Sequence, residues 1–197
     1  MTESSGFTRR HFLTVATAVT AGAGAAATAV PFVASFKPSA RAQALGAPVE
    51  RDVSKLEPGA MVKVEWRGKA VFILRRTEAM LDELNRIAEL LADPNSEVAD
   101  QQPNYAVNVW RSIRPEYLVV EGVCTHLGCA PTARFDLGAG DLGADWPGGF
   151  FCPCHGSKFD LAGRVFKSVP APTNLKVPPH RYVNDTTILI GVDSGSV

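Results

Sequence analysis

All four cysteines of this 197-residue chain lie in two short stretches, CTHLGC (Cys124 to Cys129) and CPCHGS (Cys152 to Ser157), each with one histidine. Thiols and imidazoles gathered in this way are metal ligands, a disulfide framework, or both. Two plain disulfides are one reading, and an oxidising compartment would permit them. They leave unexplained why a histidine stands two residues after Cys124 and directly after Cys154. Zinc is a second reading, because it accepts Cys and His ligands tetrahedrally. Its usual knuckles are Cys-x-x-Cys, which this chain lacks, and Cys152-Pro153-Cys154 is too tight for such a chelate loop.

A third reading takes one cysteine and one histidine from each stretch: Cys124-x-His126 and Cys152-x-x-His155, with 25 residues between them. Two thiolates and two imidazoles form the ligand set of a two-iron cluster in which histidines replace cysteines on one iron. Cys129 and Cys154 then remain as a matching pair, one per loop, and a disulfide between them would clip the loops together. This reading accounts for all six residues; neither rival does.

The elements that must carry these loops are partly legible. Arg9 and Arg10 precede a run from Phe12 to Phe36, 25 residues without a charge, and about 20 suffice to cross hydrocarbon as a helix. Paired arginines before Phe-Leu and a mildly apolar run resemble a twin-arginine export signal. Ala40-Arg41-Ala42 and Ala42-Gln43-Ala44 both have the small-x-small pattern of a peptidase site, so whether the signal is retained stays open. Lys37 and Arg41 balance Arg9 and Arg10 across the run, so the positive-inside count gives no orientation. Lys37 to Val53 is rich in Ala, Pro and Gly and reads as a tether.

Beyond it, MVKVEW (Met61 to Trp66), a turn at Arg67-Gly68-Lys69 and AVFILRR (Ala70 to Arg76) have the signature of a hairpin. Thr77 would cap a helix reaching Leu91, with Met80, Leu81, Leu84, Ile87, Ala88 and Leu91 on one face. Its Glu78, Glu83 and Glu89 read as a solvated face. Strand-like runs follow at 116–122, 149–153, 163–167 and 186–192. The expected fold class is mainly β: an antiparallel head with one helix, plus an N-terminal transmembrane helix. The Gly-rich insert Asp136 to Gly149 has no Lys-Ser/Thr after it and reads as an exposed loop, not a phosphate cradle. A formal net charge of zero gives no sign of a nucleic-acid partner. His11 falls to the export signal, His180 to packing or surface, and Asp160 to a turn.

CTHLGC and CPCHGS resemble the two cluster-binding loops of the Rieske iron–sulfur subunits of quinol–cytochrome c oxidoreductase, the cytochrome bc complex. The likeness extends over nearly the whole chain and includes a Pro-rich loop at VPAPTNL (Val169 to Leu175). It implies one 2Fe–2S cluster, with Cys124 and Cys152 on the inner iron and His126 and His155 on the outer. It implies a Cys129–Cys154 disulfide, a Ser157 hydroxyl hydrogen-bonded to a bridging sulfide, and Leu127 with Gly128 at a tip that docks on cytochrome b. Neutral imidazole in place of thiolate raises the potential, to about −150 to +300 mV for such centres. His155 is then the group that takes a proton from ubiquinol as the cluster takes an electron, which passes to a membrane c-type cytochrome. The implied layout is a cytoplasmic start (1–11), an anchor in the bacterial inner membrane (12–36), a hinge (37–53) and a periplasmic head (54–197, cluster loops within 122–158). Such a head would serve a dimeric complex that contributes to proton translocation. An exported Rieske subunit of a molybdenum oxidase, such as arsenite oxidase, shares the export signal and the cluster, and is the alternative.

The chain departs from that family pattern at Phe159, where many members carry a tyrosine that donates a hydrogen bond to a ligand sulfur. Its absence would lower the potential by at most about 60–130 mV. Val169 stands where Gly is common, and the insert before Trp146 is long; neither touches an expected ligand.

Overall fold

The computed structural model describes residues 8–193. Residues 1–7 of the expected N-terminal segment lie outside the described residues. The chain divides into two compact units, residues 1–44 and 45–197.

The first unit is dominated by helix α1 (Arg9–Ser35), capped by the Thr8 side chain, which accepts from the His11 backbone N–H. Its 27 residues would extend about 40 Å, more than the roughly 30 Å of a bilayer core. Every described residue of α1 is exposed, so nothing within the unit covers its apolar surface. The hydroxyls of Thr14, Thr20 and Thr28 donate to the carbonyls of Arg10, Ala16 and Gly24 at 2.8 Å each. Bonding these three hydroxyls within the helix lowers the penalty that a threonine-rich segment would otherwise meet in hydrocarbon.

The tether expected over 37–53 is shorter than its composition suggested. Helix α2 (Ala40–Gly46) occupies its middle. Strand β1 (Val49–Asp52) then pairs antiparallel with β9 (Thr187–Ile190), which also pairs with β8 (His180–Tyr182). The head therefore begins before residue 54. β1 is an edge strand whose Glu50, Arg51 and Asp52 are exposed; charges suit an edge and leave no apolar alternation to read.

The second sheet is β2 (Met61–Trp66), β3 (Lys69–Arg75) and β4 (Tyr117–Glu121), in that order. Arg67 and Gly68 join β2 to β3 with φ of 53° and 71°, the positive pair that a two-residue hairpin matching strand twist requires. β3 and β4 are buried on both faces, hence their unbroken apolar runs. Val71, Ile73 and Val119 pack with Trp66, Ile188 and Ile190 toward the first sheet. Phe72, Leu74, Leu118 and Val120 pack in a second core with Phe150, Phe159, Cys124 and Cys152. The base sheet thus shares a core with the cysteine loops.

Helix α3 (Glu78–Arg86) is capped by Thr77, as its sequence indicates, but stops short of Leu91. Ile87 leaves helical geometry at ψ 6°, a 3-10 turn covers Ala88–Leu90, and Leu91 bridges Phe166. Burial of Ile87 and Leu91 in the core outweighs continued helical periodicity.

The third sheet, β5 (Thr132–Arg134), β6 (Gly149–Cys152) and β7 (Ser157–Phe159), carries the second cysteine loop as its hairpin connection. The run at 163–167 is not a strand. It makes only isolated bridges, Val165 to Phe159 and Phe166 to Leu91. Gly163 at φ 71° and the binding of Arg164 to Asp160 bend the chain there. The Gly-rich insert is exposed over most of its length but pinned: Arg134 pairs with Asp141, and buried Trp146 donates Nε1–H to the Arg134 carbonyl.

Candidate metal centre

The two loops follow one local plan. Gly128 donates its N–H to the Cys124 carbonyl at 2.9 Å, and Gly156 to the Cys152 carbonyl, also at 2.9 Å. Both glycines turn through positive φ, 82° and 76°, a region costly for other residues. Each turn places a buried cysteine at its base, and Cys124 also donates its N–H to the Cys129 carbonyl at 2.8 Å.

Cys129 and Cys154 are joined as a disulfide across the loops, whereas Cys124 and Cys152 are free and buried. The sulfurs of Cys129, Cys152 and Cys154 lie within 4.8 Å of one another, but two of them are bonded and unavailable as ligands. Burial pushes the Cys124 thiol up; the His126 backbone N–H opposes this, and the neighbouring Cys152 thiol adds to it. A thiol raised in this way ionises poorly unaided, and a bound cation reverses that preference.

The His126 and His155 rings stand edge to face with centroids 4.8 Å apart. His155 is exposed and His126 half-buried. Nδ1 of His126 is shut away from water and has no hydrogen-bond partner. A buried imidazole nitrogen without a partner is costly, and a metal bond at that atom would satisfy it. The donors here, two free thiols and two neutral-capable imidazoles, fit a mixed sulfur–nitrogen metal site.

A third loop locks the pair. Ser157, fully buried, accepts from the Ala171 N–H at 3.0 Å through Oγ. Thr125 donates its hydroxyl to the Thr173 carbonyl at 2.7 Å. The Pro-rich segment from Val169 to Leu175 is thereby tied to both cysteine loops. Leu127 stands 71% exposed at the tip, with Gly128 beside it. Sequence reasoning overlooked Thr125, and no spacing rule singles it out. Asn174 escaped notice too; it is buried and holds the Val165 N–H at 2.8 Å.

Residues 48–179 match the Rieske [2Fe-2S] domain model. Residues 1–39 match the model described as ubiquitinol-cytochrome C reductase Fe-S subunit TAT signal. The ubiquinol-cytochrome c reductase iron-sulfur subunit of Allochromatium vinosum is 62% identical over 188 residues, 95% of this chain and 90% of the relative. This chain belongs to the Rieske iron–sulfur subunits of ubiquinol–cytochrome c reductase. The subunit of that name from Blastochloris viridis is 45% identical, covering 93% of each chain. The mitochondrial cytochrome b-c1 complex subunit Rieske of Candida albicans is 38% identical, covering 92% of this chain and 75% of its own. A Rieske chain carries a 2Fe–2S cluster, so the plain-disulfide and zinc readings fall away. The molybdenum-oxidase alternative is not favoured, since these relatives carry the quinol-reductase name. The Rieske match begins at residue 48, close to β1 and ahead of the boundary expected at 54.

Proposed function

We propose that Cys124 and Cys152 hold one iron and His126 and His155 the other, in the iron–sulfur subunit of a quinol-oxidising bc complex. The observation that carries the ligand set is the partnerless buried Nδ1 of His126, together with two buried free thiols. When bound, the cluster supplies a one-electron acceptor whose potential is raised because neutral imidazole replaces thiolate charge. His155, exposed, accepts at its outer ring nitrogen the proton that a ubiquinol hydroxyl loses on oxidation. Ser157, whose Oγ accepts from the Ala171 N–H and whose hydroxyl bonds the Cys124 thiol, would supply a hydrogen bond to the sulfur of the bound cluster. Leu127 and Gly128 present the tip to cytochrome b.

Electron delivery to a membrane c-type cytochrome then requires the head to leave that surface. α1 anchors the chain in the bacterial inner membrane, the residues between α1 and Leu45 form the tether, and the head stands on the periplasmic side of a dimeric complex. The deciding experiment is redox titration of the cluster in the membrane complex across pH. The midpoint potential is expected to fall with rising pH around neutrality and above, because proton and electron are taken together. A flat profile would show that His155 only holds iron and would overturn the proton-accepting role.

A further inference from the structure

Three arginines, Arg76, Arg111 and Arg164, are buried in the core that also encloses the cysteine loops. Lys and Arg are rarely buried unless paired, yet among the described residues three guanidinium groups share the interior with two buried carboxylates, Asp160 and Glu121. Asp160 accepts from Arg164 Nε at 2.8 Å through one oxygen, and from the N–H groups of Ala162 and Arg164 through the other. Arg111 spends its charge on the carbonyls of Ala162, Gly163 and Gln101 and on Gln102 Oε1, while its Nε has no partner. Arg76 donates to the carbonyls of Pro115, Trp110 and Leu161 and to Ser112 Oγ. Of the other nearby acids, Asp93 also acts on Arg111 across space. Glu121 is paired with Lys69, and half-buried Asp93 accepts from Glu97, Val98 and Asn174.

The position of this excess charge matters. Asp160 directly follows β7, and Ser157 of β7 is paired with Cys152. Asp160 thus follows Ser157 by three residues, about 10 Å along the strand at most. Buried Phe150, Phe159, Leu161 and Ala162 belong to the same core as Cys124 and Cys152, where water and salt screen little. Burial pulls Arg76 down to about 9 and Arg111 down to about 10, so both remain charged at neutral pH.

We infer that the excess of buried guanidinium over buried carboxylate at Arg76, Arg111 and Arg164 raises the cluster's midpoint potential by stabilising the electron it accepts. Holding the turn at 160–164 against the base of the head is their structural duty; the field is the functional one. This inference rests on the ligand assignment proposed above. Reduction adds negative charge at the cluster, and a fixed positive charge in a dry core favours that state.

The test is a set of charge variants in the full membrane complex, read by redox titration of the cluster's EPR signal and by thermal melting. Arg111→Gln is expected to lower the midpoint, Asp160→Asn to raise it, and Arg111→Lys to leave it unchanged, although all three lower the melting temperature. Shifts of one sign for Arg111→Gln and Asp160→Asn, or a shift in Arg111→Lys as large as in Arg111→Gln, would reduce the arginines to packing and overturn the inference. Should Arg111→Gln fail to retain the cluster, Arg76→Gln against Arg76→Lys gives the same comparison. The EPR g-values of the wild-type cluster report imidazole ligation independently, so a wrong ligand set is told apart from a wrong electrostatic account.

Discussion

At the scale of single residues, Phe159 is where the sequence reading expects a departure from the family pattern. It is fully buried in the core that contains Cys124 and Cys152. Phe159→Tyr is expected to raise the midpoint potential by up to about 60–130 mV, the equivalent of one hydrogen bond to a charged group. Redox titration of the variant checks this, and an unchanged midpoint would refute it. The candidate cluster ligands stood out in the sequence because thiols and imidazoles are scarce and their spacing carries chemistry. The buried arginines were not. A charge in a sequence defaults to a solvated side chain, and nothing local to Arg76, Arg111 or Arg164 states that carbonyls 34 to 85 residues away will receive them. Asp160, read as a turn residue, does close the turn through the Ala162 and Arg164 N–H groups, but as the buried carboxylate of that network.

At the scale of elements, two glycine-turned loops, a disulfide and the Pro-rich segment form one clamp. The Cys129–Cys154 bond closes a loop with a sequence separation of 25, which is worth about 3–4 kcal/mol by loop-closure entropy. Replacing both cysteines with serine is expected to lower the head's stability by that order and to release the cluster at lower temperature. Calorimetry alongside the EPR signal on heating measures both; retention of the cluster up to the wild-type temperature would show that the Pro-rich segment suffices. Elements with a strong pattern were readable: the β2–β3 hairpin, the Thr77 cap, and β4. Strands β5, β7 and β8 have three residues each, too few for any alternation to register. They exist because neighbours offer a ladder, a tertiary cause with no local signal.

At the scale of the whole molecule, the head's stability is tied to pH through His180. It is buried, donates its backbone N–H to Tyr105 Oη at 2.8 Å, and places Nδ1 2.9 Å from the Pro178 carbonyl. Burial pushes its imidazole down, with the Pro178 carbonyl opposing. A depressed folded value means the unfolded chain takes up a proton that the folded head refuses. Stability is therefore complete above the ordinary value of 6.5 and is lost as pH falls below it. Denaturant unfolding between about pH 7 and pH 5 should show this decline, with a shallower slope in His180→Asn; equal slopes would remove His180 as the cause. The long apolar helix was legible at this scale because a 25-residue uncharged run has few other uses. The tether was overestimated because β1 is charged and recruited by β9. The crowding of Cys129, Cys152 and Cys154 within 4.8 Å has a chronological consequence. Were iron to arrive before the disulfide forms, Cys129 and Cys154 would stand beside Cys152 as competing thiols. Joining Cys129 to Cys154 withdraws both competitors and leaves Cys124 and Cys152 as the free thiols.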